Sequence, residues 1–376
     1  MNTIKPDTLQ QQVDEQEATS LQKYGTFGGV FVPTLLTILG VILFLRQGWV
    51  IGNAGLLGGW LIISIAFIIV TFTALSMSCI TTNIRIKAGG AYSIISQSLG
   101  LEVGGSVGVP LYLAQTFAIT MYIFGFREGW IYIFPEHYGI LVDLTVFGIL
   151  FVVAFVSAGL AFRIQYIILA VIIGALLSVA GSVFTGVLEH NVQWWGEFPG
   201  APENDFEGVS FWVVFAVLFP AATGIMAGAN MSGELKDPKK SIPLGTISAI
   251  VISYLIYMGS AYWMARVASP DELVSNYNIM IDKALWAPAV LGGLLGATFS
   301  SALASIVGAP RILQALGDHR IFPGGDTFSK LSKNGEPRNA ILLTGGIVLF
   351  TLMLRDLNTI APLITMFFLI TYMMIN

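Results

Sequence analysis

Apolar stretches of about twenty residues recur along this chain between short polar connections, and that is the length a helix needs to cross a bilayer core. Ten such spans can be marked, at 28 to 51, 56 to 80, 103 to 126, 142 to 162, 164 to 187, 209 to 234, 243 to 267, 285 to 314, 339 to 355 and 359 to 376. The pattern predicts an all-α membrane protein. Inside the sixth span, Phe219 to Glu234 reads FPAATGIMAGANMSGE and carries Pro220, Gly224, Gly228 and Gly233. Lipid offers backbone N–H and C=O groups no partners, so such a stretch survives only inside protein or beside a water-filled cavity. The first span carries a weaker interruption, LTILGVIL from Leu36 to Leu43, with Thr37 and Gly40 alone to mark it. Breaks in spans one and six divide ten helices five plus five. Matching breaks point to an inverted-repeat transporter core, with repeat one at about 28–187, repeat two at about 209–376 and the site between them.

Composition narrows the class. Charged residues make up 11% of the chain, against roughly 25% in a soluble domain, and the net charge of -4 without a basic run excludes nucleic acid as a partner. Cys79 is the sole cysteine, so neither disulfides nor a thiolate metal cluster hold the fold, and a small packed thiol is expected there. Residues 1 to 24 are polar and lack the apolar core of a cleaved signal, which reads as a disordered cytoplasmic tail preceding a transmembrane domain at 25–376.

Lys and Arg positions orient the spans. With the N-terminus cytoplasmic, Lys5, Lys23, Arg85, Lys87, Arg163, Lys236, Lys239, Lys240, Arg311, Arg320, Lys330, Lys333 and Arg338 fall inside, and only Arg46, Arg127, Arg266, Lys283 and Arg355 fall outside. The connection from Leu188 to Gly208 is acidic, lacks Lys and Arg, and holds Trp194 and Trp195, as an outside loop would. Residues 316 to 338 form the longest inside loop, and the uncharged end at Asn376 reads as a chain that continues.

Enzyme chemistry finds no support. His137, His190 and His319 lie in predicted loops without metal-ligand spacing, and no metalloprotease, phosphate-loop or nucleophile-elbow motif occurs. The pairs Gly104/Gly108, Gly224/Gly228 and Gly292/Gly296 fit helix packing. On this span assignment no Asp, Glu, Lys or His lies deep within a helix, whereas proton-coupled carriers usually need an intramembrane carboxylate. A cation held by carbonyls and hydroxyls is best neutralised by a co-bound anion. Helix breaks suit both signs, since the half ending there offers C=O groups and the half starting there offers N–H groups. Carbonyls of Leu36 to Leu39 and Pro220 to Thr223 could hold a cation; N–H groups of Gly40, Val41 and Ile42, and of Gly224, Ile225 and Met226, could hold chloride. Thr37 and Thr223 add hydroxyls, the alternative for each being a back-bond to its own helix. Ser300 and Ser301 place two hydroxyls in the eighth span, where close packing is the alternative.

With these residues in view, the chain resembles the cation-chloride cotransporter family of the amino acid, polyamine and organocation transporter superfamily. The similarity runs from about Gly25 to the end through GVILFLR (Gly40 to Arg46), AGGAYSIISQSLG (Ala88 to Gly100), MYIFGF (Met121 to Phe126), FPAATGIMAGANMSGELKDP (Phe219 to Pro238), SSALASIVGAP (Ser300 to Pro310) and GEPRNA (Gly335 to Ala340). The resemblance implies a potassium site at Thr37, Ile38, Tyr122, Pro220 and Thr223, and a sodium site at Leu36, Leu39, Ala297, Ser300 and Ser301. It implies one chloride at Gly40, Val41 and Ile42, a second at Gly224, Ile225, Met226 and the Tyr372 hydroxyl, and an extracellular gate pair of Arg46 and Glu128.

Thr37 stands where familiar sodium-potassium-chloride members have Asn, and Leu39 where they have Trp, but both are expected to act through their carbonyls. Sodium-independent members lack the two serines present here, although LSMS (Leu75 to Ser78) and LYLAQTFA (Leu111 to Ala118) look closer to that branch. The function implied is secondary-active, electroneutral symport of chloride with potassium and sodium, without cofactors, by a core truncated before the final two helices and soluble domain the family usually has. It leaves a homodimer open. The alternatives are an amino acid or polyamine permease of the same superfamily and a non-transporting ion sensor on the same fold.

Overall fold

The computed structural model describes residues 24–83, 89–156, 158–201, 206–230, 232, 235–332, 335–354 and 357–376. The polar tail before Tyr24, the break glycine Gly233 and the charged positions Arg85, Lys87, Glu203, Asp205, Glu234, Lys333, Arg355 and Asp356 lie outside them. Among the described residues the elements are helical, apart from two paired dipeptides, β1 (Gly200–Ala201) and β2 (Phe206–Glu207), and an isolated bridge between Tyr24 and Leu235.

The first crossing is built from pieces. A π-helical turn at Phe27–Phe31 leads into α1 (Val32–Ile38), the chain leaves helix at Leu39 (φ −79°, ψ 43°) and Gly40 (φ −91°, ψ −154°), and α2 (Val41–Leu45) resumes the climb. Arg46 turns the chain into α3 (Gln47–Asn83). That long helix is itself kinked at Gly55, whose φ of 71° and ψ of 178° suit glycine alone. The kink coincides with the boundary drawn at 51 to 56 from the sequence. Its freed backbone is satisfied from far along the chain: Leu56 and Leu57 N–H groups donate to the carbonyls of Gln193 and Trp194, and Gly196 and Phe198 donate to Ala54 and Asn53. The acidic loop after span five is thereby stitched into the gap.

There follow α4 (Gly90–Leu99), which hydropathy did not predict, then α5 (Leu101–Ile133), α6 (Gly139–Val156) and α7 (Ala158–Ser182). The sixth crossing comprises α8 (Phe211–Leu218), a 3-10 stretch at Phe219–Ile225 and α9 (Met226–Asn230). The remaining elements are α10 (Pro238–Val267), α11 (Pro270–Ser275), α12 (Ile279–Asp282), α13 (Ala287–Asp318), α14 (Gly325–Phe328), α15 (Arg338–Thr351) and α16 (Leu357–Ile375). Eight crossings among the described residues are long and apolar enough for a bilayer, and the predicted ninth and tenth spans fall on the shorter helices α15 and α16.

Burial sorts the crossings. In the first, 89% of the residues are buried, against 33% in α6, so the broken helix lies at the centre and α6 at the periphery. The most extensive helix contacts pair α13 with α5, α10 with α3, α13 with α7 and α16 with α5. Small residues allow the close approaches, since a Cβ on Gly108 would meet the Tyr92 ring at 2.6 Å and one on Gly228 would meet Val30 at 2.5 Å.

One expectation is corrected: Cys79 is exposed on α3 rather than packed. Asp143, the fifth residue of α6, is wholly buried and accepts from Arg127 of α5 at 2.8 Å. Its burial is tolerated because the charge is paired.

Candidate functional site

The two interrupted crossings meet. A Cβ added to Gly224 would lie 2.9 Å from the Ile38 nitrogen and 3.0 Å from the Thr37 carbonyl carbon, so the breaks touch backbone to backbone. All the predicted ligand positions in the first crossing, Leu36, Thr37, Ile38, Leu39, Gly40, Val41 and Ile42, are buried.

Of the implied potassium residues, Thr37, Tyr122 and Thr223 line one small cavity, together with Gln115, Asn230 and Ser305. The cavity has room for about one water or one stripped alkali ion. Both threonines make the back-bonds weighed as their alternative: Thr37 Oγ1 donates to Pro33 O and Thr223 Oγ1 to Pro220 O, each at 2.7 Å. Their protons are thereby spent, leaving lone pairs for a ligand. The Ile38 carbonyl accepts from the Tyr257 hydroxyl at 2.9 Å.

The implied sodium residues are also gathered. Ser301 Oγ reaches the Leu36 carbonyl at 3.4 Å and lies 3.3 Å from where a Gly40 Cβ would stand. Ser300 Oγ is buried without a hydrogen-bond partner, and Ala297 lies one turn before Ser301 on α13, fully buried. An orphaned buried hydroxyl costs free energy, which a bound cation or water would recover.

At the implied chloride positions the two breaks differ. Gly40 is the N-cap of α2, so the first-turn N–H groups point away from any helical acceptor. In the sixth crossing the 3-10 turn closes on itself, with Met226 N–H directed to the carbonyls of Thr223 and Gly224. The Tyr372 hydroxyl reaches this break but donates to Thr223 O at 3.0 Å.

Arg46 and Glu128 form a two-pronged pair at 2.9 and 3.1 Å, with the Arg46 guanidinium stacked 4.0 Å over the Tyr277 ring. Arg46 is buried, and Glu128 projects from α5 about 9 Å of helix beyond Tyr122.

Several contributors escaped the sequence reading. Tyr257 touches a broken-helix carbonyl; Gln47 Nε2 holds the Tyr257 carbonyl at 2.7 Å; Tyr277 covers Arg46. Polar residues inside apolar spans were the available signal for Gln115 and Asn230. Among the described residues no three His, Cys, Asp or Glu side chains gather as a metal centre.

An amino acid permease family model matches residues 29–376. The chain belongs to the amino acid permease family. Within it, the chain is 34% identical over 415 residues to solute carrier family 12 member 2 of Mus musculus, covering 96% of this chain and 34% of that protein. It is 34% identical over 427 residues to solute carrier family 12 member 1 of Rattus norvegicus, covering 99% and 39%. It is 34% identical over 394 residues to solute carrier family 12 member 9 of Xenopus laevis, covering 94% and 44%. The cation-chloride cotransporter resemblance carried by the motifs agrees with these relatives. The chain spans roughly a third to under half of their lengths. Membership of this permease family places the chain among membrane transporter sequences.

Proposed function

We propose that the chain is the transport core of a secondary-active symporter that moves chloride with potassium and sodium, electroneutrally, through a five-plus-five inverted-repeat fold. The observation that carries this reading is the contact between Gly224 and Thr37–Ile38, which sets two helix breaks against each other with no charged side chain on the cavity they share. Neutral oxygens bind an alkali cation most economically when an anion follows it in. Potassium takes Thr37, Ile38, Tyr122, Pro220 and Thr223; sodium takes the Leu36 and Leu39 carbonyls with Ala297, Ser300 and Ser301, where the orphaned Ser300 hydroxyl supports the assignment.

One chloride takes the Gly40, Val41 and Ile42 N–H groups. The second, at Gly224, Ile225 and Met226, requires the 3-10 turn to open and Tyr372 to turn from the Thr223 carbonyl to the halide. Arg46 and Glu128 close the outer side, with the N-terminus cytoplasmic, and one helical bundle rocks against the other around the ions. A tenfold gradient supplies about 1.4 kcal/mol per ion, enough for sodium entry to drive the others.

An amino acid permease is the second reading, since the family model bears that name. A cavity with room for about one water is small for a substrate carrying both a carboxylate and an amine. Uptake of radioactive rubidium against a labelled amino acid mixture, by the full-length protein in proteoliposomes, separates them: the symport reading expects rubidium alone to accumulate, and amino acid accumulation would replace it.

A further inference from the structure

Two buried polar atoms without a hydrogen-bond partner belong to neighbouring helices, the amide Oε1 of Gln165 on α7 and the hydroxyl of Ser300 on α13. Gln165 is 3% exposed and Ser300 1%. Gln165 begins a buried stripe on α7 that continues through Ile168, Ile172, Ala175 and Val179 at helical spacing, while Tyr166 and Ile167 beside it are exposed. An amide turned onto such a stripe is costly unless its oxygen meets a partner.

The register of the two helices sets these atoms at one level. α7 and α13 run antiparallel: the Trp286 N–H donates to Ser178 Oγ at 2.8 Å, a Cβ on Gly292 would lie 3.5 Å from Val171, and one on Gly296 would lie 3.3 Å from Ile168. Three residues back along α7 from Ile168 stands Gln165, and four residues on along α13 from Gly296 stands Ser300. Those steps cover about 4.5 and 6 Å of helix in the same direction, and each stays on the face that makes the contact. Ser300 therefore stands opposite Gln165 across the α7–α13 seam. Ser301, the next residue, turns toward the first crossing, where its Oγ reaches the Leu36 carbonyl at 3.4 Å. The serine pair thus links the seam to the broken helix.

The orphaned atom of Gln165 is its oxygen, which can only accept, so what meets it is a donor or a cation. Beside it, the Ser300 and Ser301 hydroxyls and the Leu36 carbonyl offer lone pairs without charge, the ligand type that unwound helices present to sodium. We propose that Gln165 is a further ligand of the sodium site, bringing a side-chain oxygen from α7 to an ion held by the Leu36 carbonyl, Ser300 and Ser301. It rests on the symport reading for the presence of sodium at the two serines. Sodium bound in this way pins α7 to α13 and to the break in the first crossing.

The test uses the full-length protein. In proteoliposomes Gln165→Met, which keeps the reach of the side chain and removes its oxygen, should raise the half-saturating sodium concentration for rubidium uptake about fivefold. The rubidium KM at saturating sodium and the half-saturating chloride concentration should stay at their native values. In detergent, the rise in melting temperature given by sodium chloride over N-methylglucamine chloride should need about fivefold more sodium in the variant. Gln165→Glu keeps an oxygen at the same reach and should hold sodium at least as tightly as the native protein, which a packing role would not produce. An unchanged sodium midpoint in folded Gln165→Met would overturn the proposal and leave the amide facing a buried water. Should Gln165→Met fail to fold, Gln165→Glu decides alone, and a sodium midpoint above native overturns it. Chloride-independent native uptake with a shifted sodium midpoint in Gln165→Met would instead remove the symport reading and leave the ligand standing.

Discussion

The hydroxyl of Tyr257 on α10 donates to the carbonyl of Ile38 at 2.9 Å, the last carbonyl of α1 before the chain leaves helical geometry at Leu39. Tyr257 is fully buried, its own carbonyl is held by Gln47, and Ser260 in turn donates to Gln47 Oε1 at 2.8 Å. A relay of side chains thus fixes the direction of a freed backbone oxygen that would otherwise be unrestrained in the core.

Tyr257→Phe removes that donor at almost constant volume. A hydrogen bond of this kind is worth about 1 kcal/mol net, so the rubidium KM should rise roughly fivefold as the Ile38 carbonyl loses its alignment. Initial-rate uptake across rubidium concentrations checks it; an unchanged KM would mean that Ile38 contributes no oxygen to the ion.

Gly224→Ala should abolish transport and lower the yield of folded protein, because its Cβ would stand 2.9 Å from backbone nitrogen that cannot yield. Gly148→Ala on α6, where nothing lies within 4 Å, should be silent or stabilise by roughly 0.5–1 kcal/mol. Melting temperature and uptake measured side by side on the two variants give the comparison.

For the Arg46–Glu128 pair, Arg46→Lys keeps the charge but loses the two-pronged geometry and the stacking on Tyr277. Maximal rubidium uptake should fall while KM moves little, since neither residue lies on the cation cavity. The exchanged pair Arg46→Glu with Glu128→Arg should recover part of the loss seen in either single reversal.

Asp143→Asn leaves the Arg127 guanidinium beside a wholly buried amide. Arg127 keeps 19% of its side chain exposed, so the cost falls below the figure of about 3–5 kcal/mol for stranding a fully buried charge, and the melting temperature followed by tryptophan fluorescence should drop. Rubidium KM in the folded fraction should stay near native, because α6 is peripheral.

Sequence alone exposed the helix breaks because proline and glycine advertise a backbone that cannot continue, and Pro220 with Gly224 does so more loudly than Gly40. Thr37 and Thr223 were legible as hydroxyls at the breaks and Tyr122 came from the family resemblance; the fold brings all three to one cavity. The kink at Gly55 was legible only as a gap between spans, since its partners Gln193 and Trp194 lie about 140 residues away and no local pattern announces them. Tyr257 was hidden for a related reason: a tyrosine in an apolar span looks like packing until its hydroxyl is seen at a carbonyl. The burial of Asp143 near the start of α6 was not legible, because its partner Arg127 comes from a different helix. The short helix α4, polar on one face, carries too little apolar length to register as a crossing.

The account stands most directly on rubidium uptake by the full-length protein in proteoliposomes, with chloride replaced by gluconate and sodium by N-methylglucamine in turn. It predicts that gluconate abolishes rubidium uptake and that sodium removal reduces it severely. Rubidium uptake that persists undiminished in gluconate would contradict the claim that paired helix breaks bind cation and halide together.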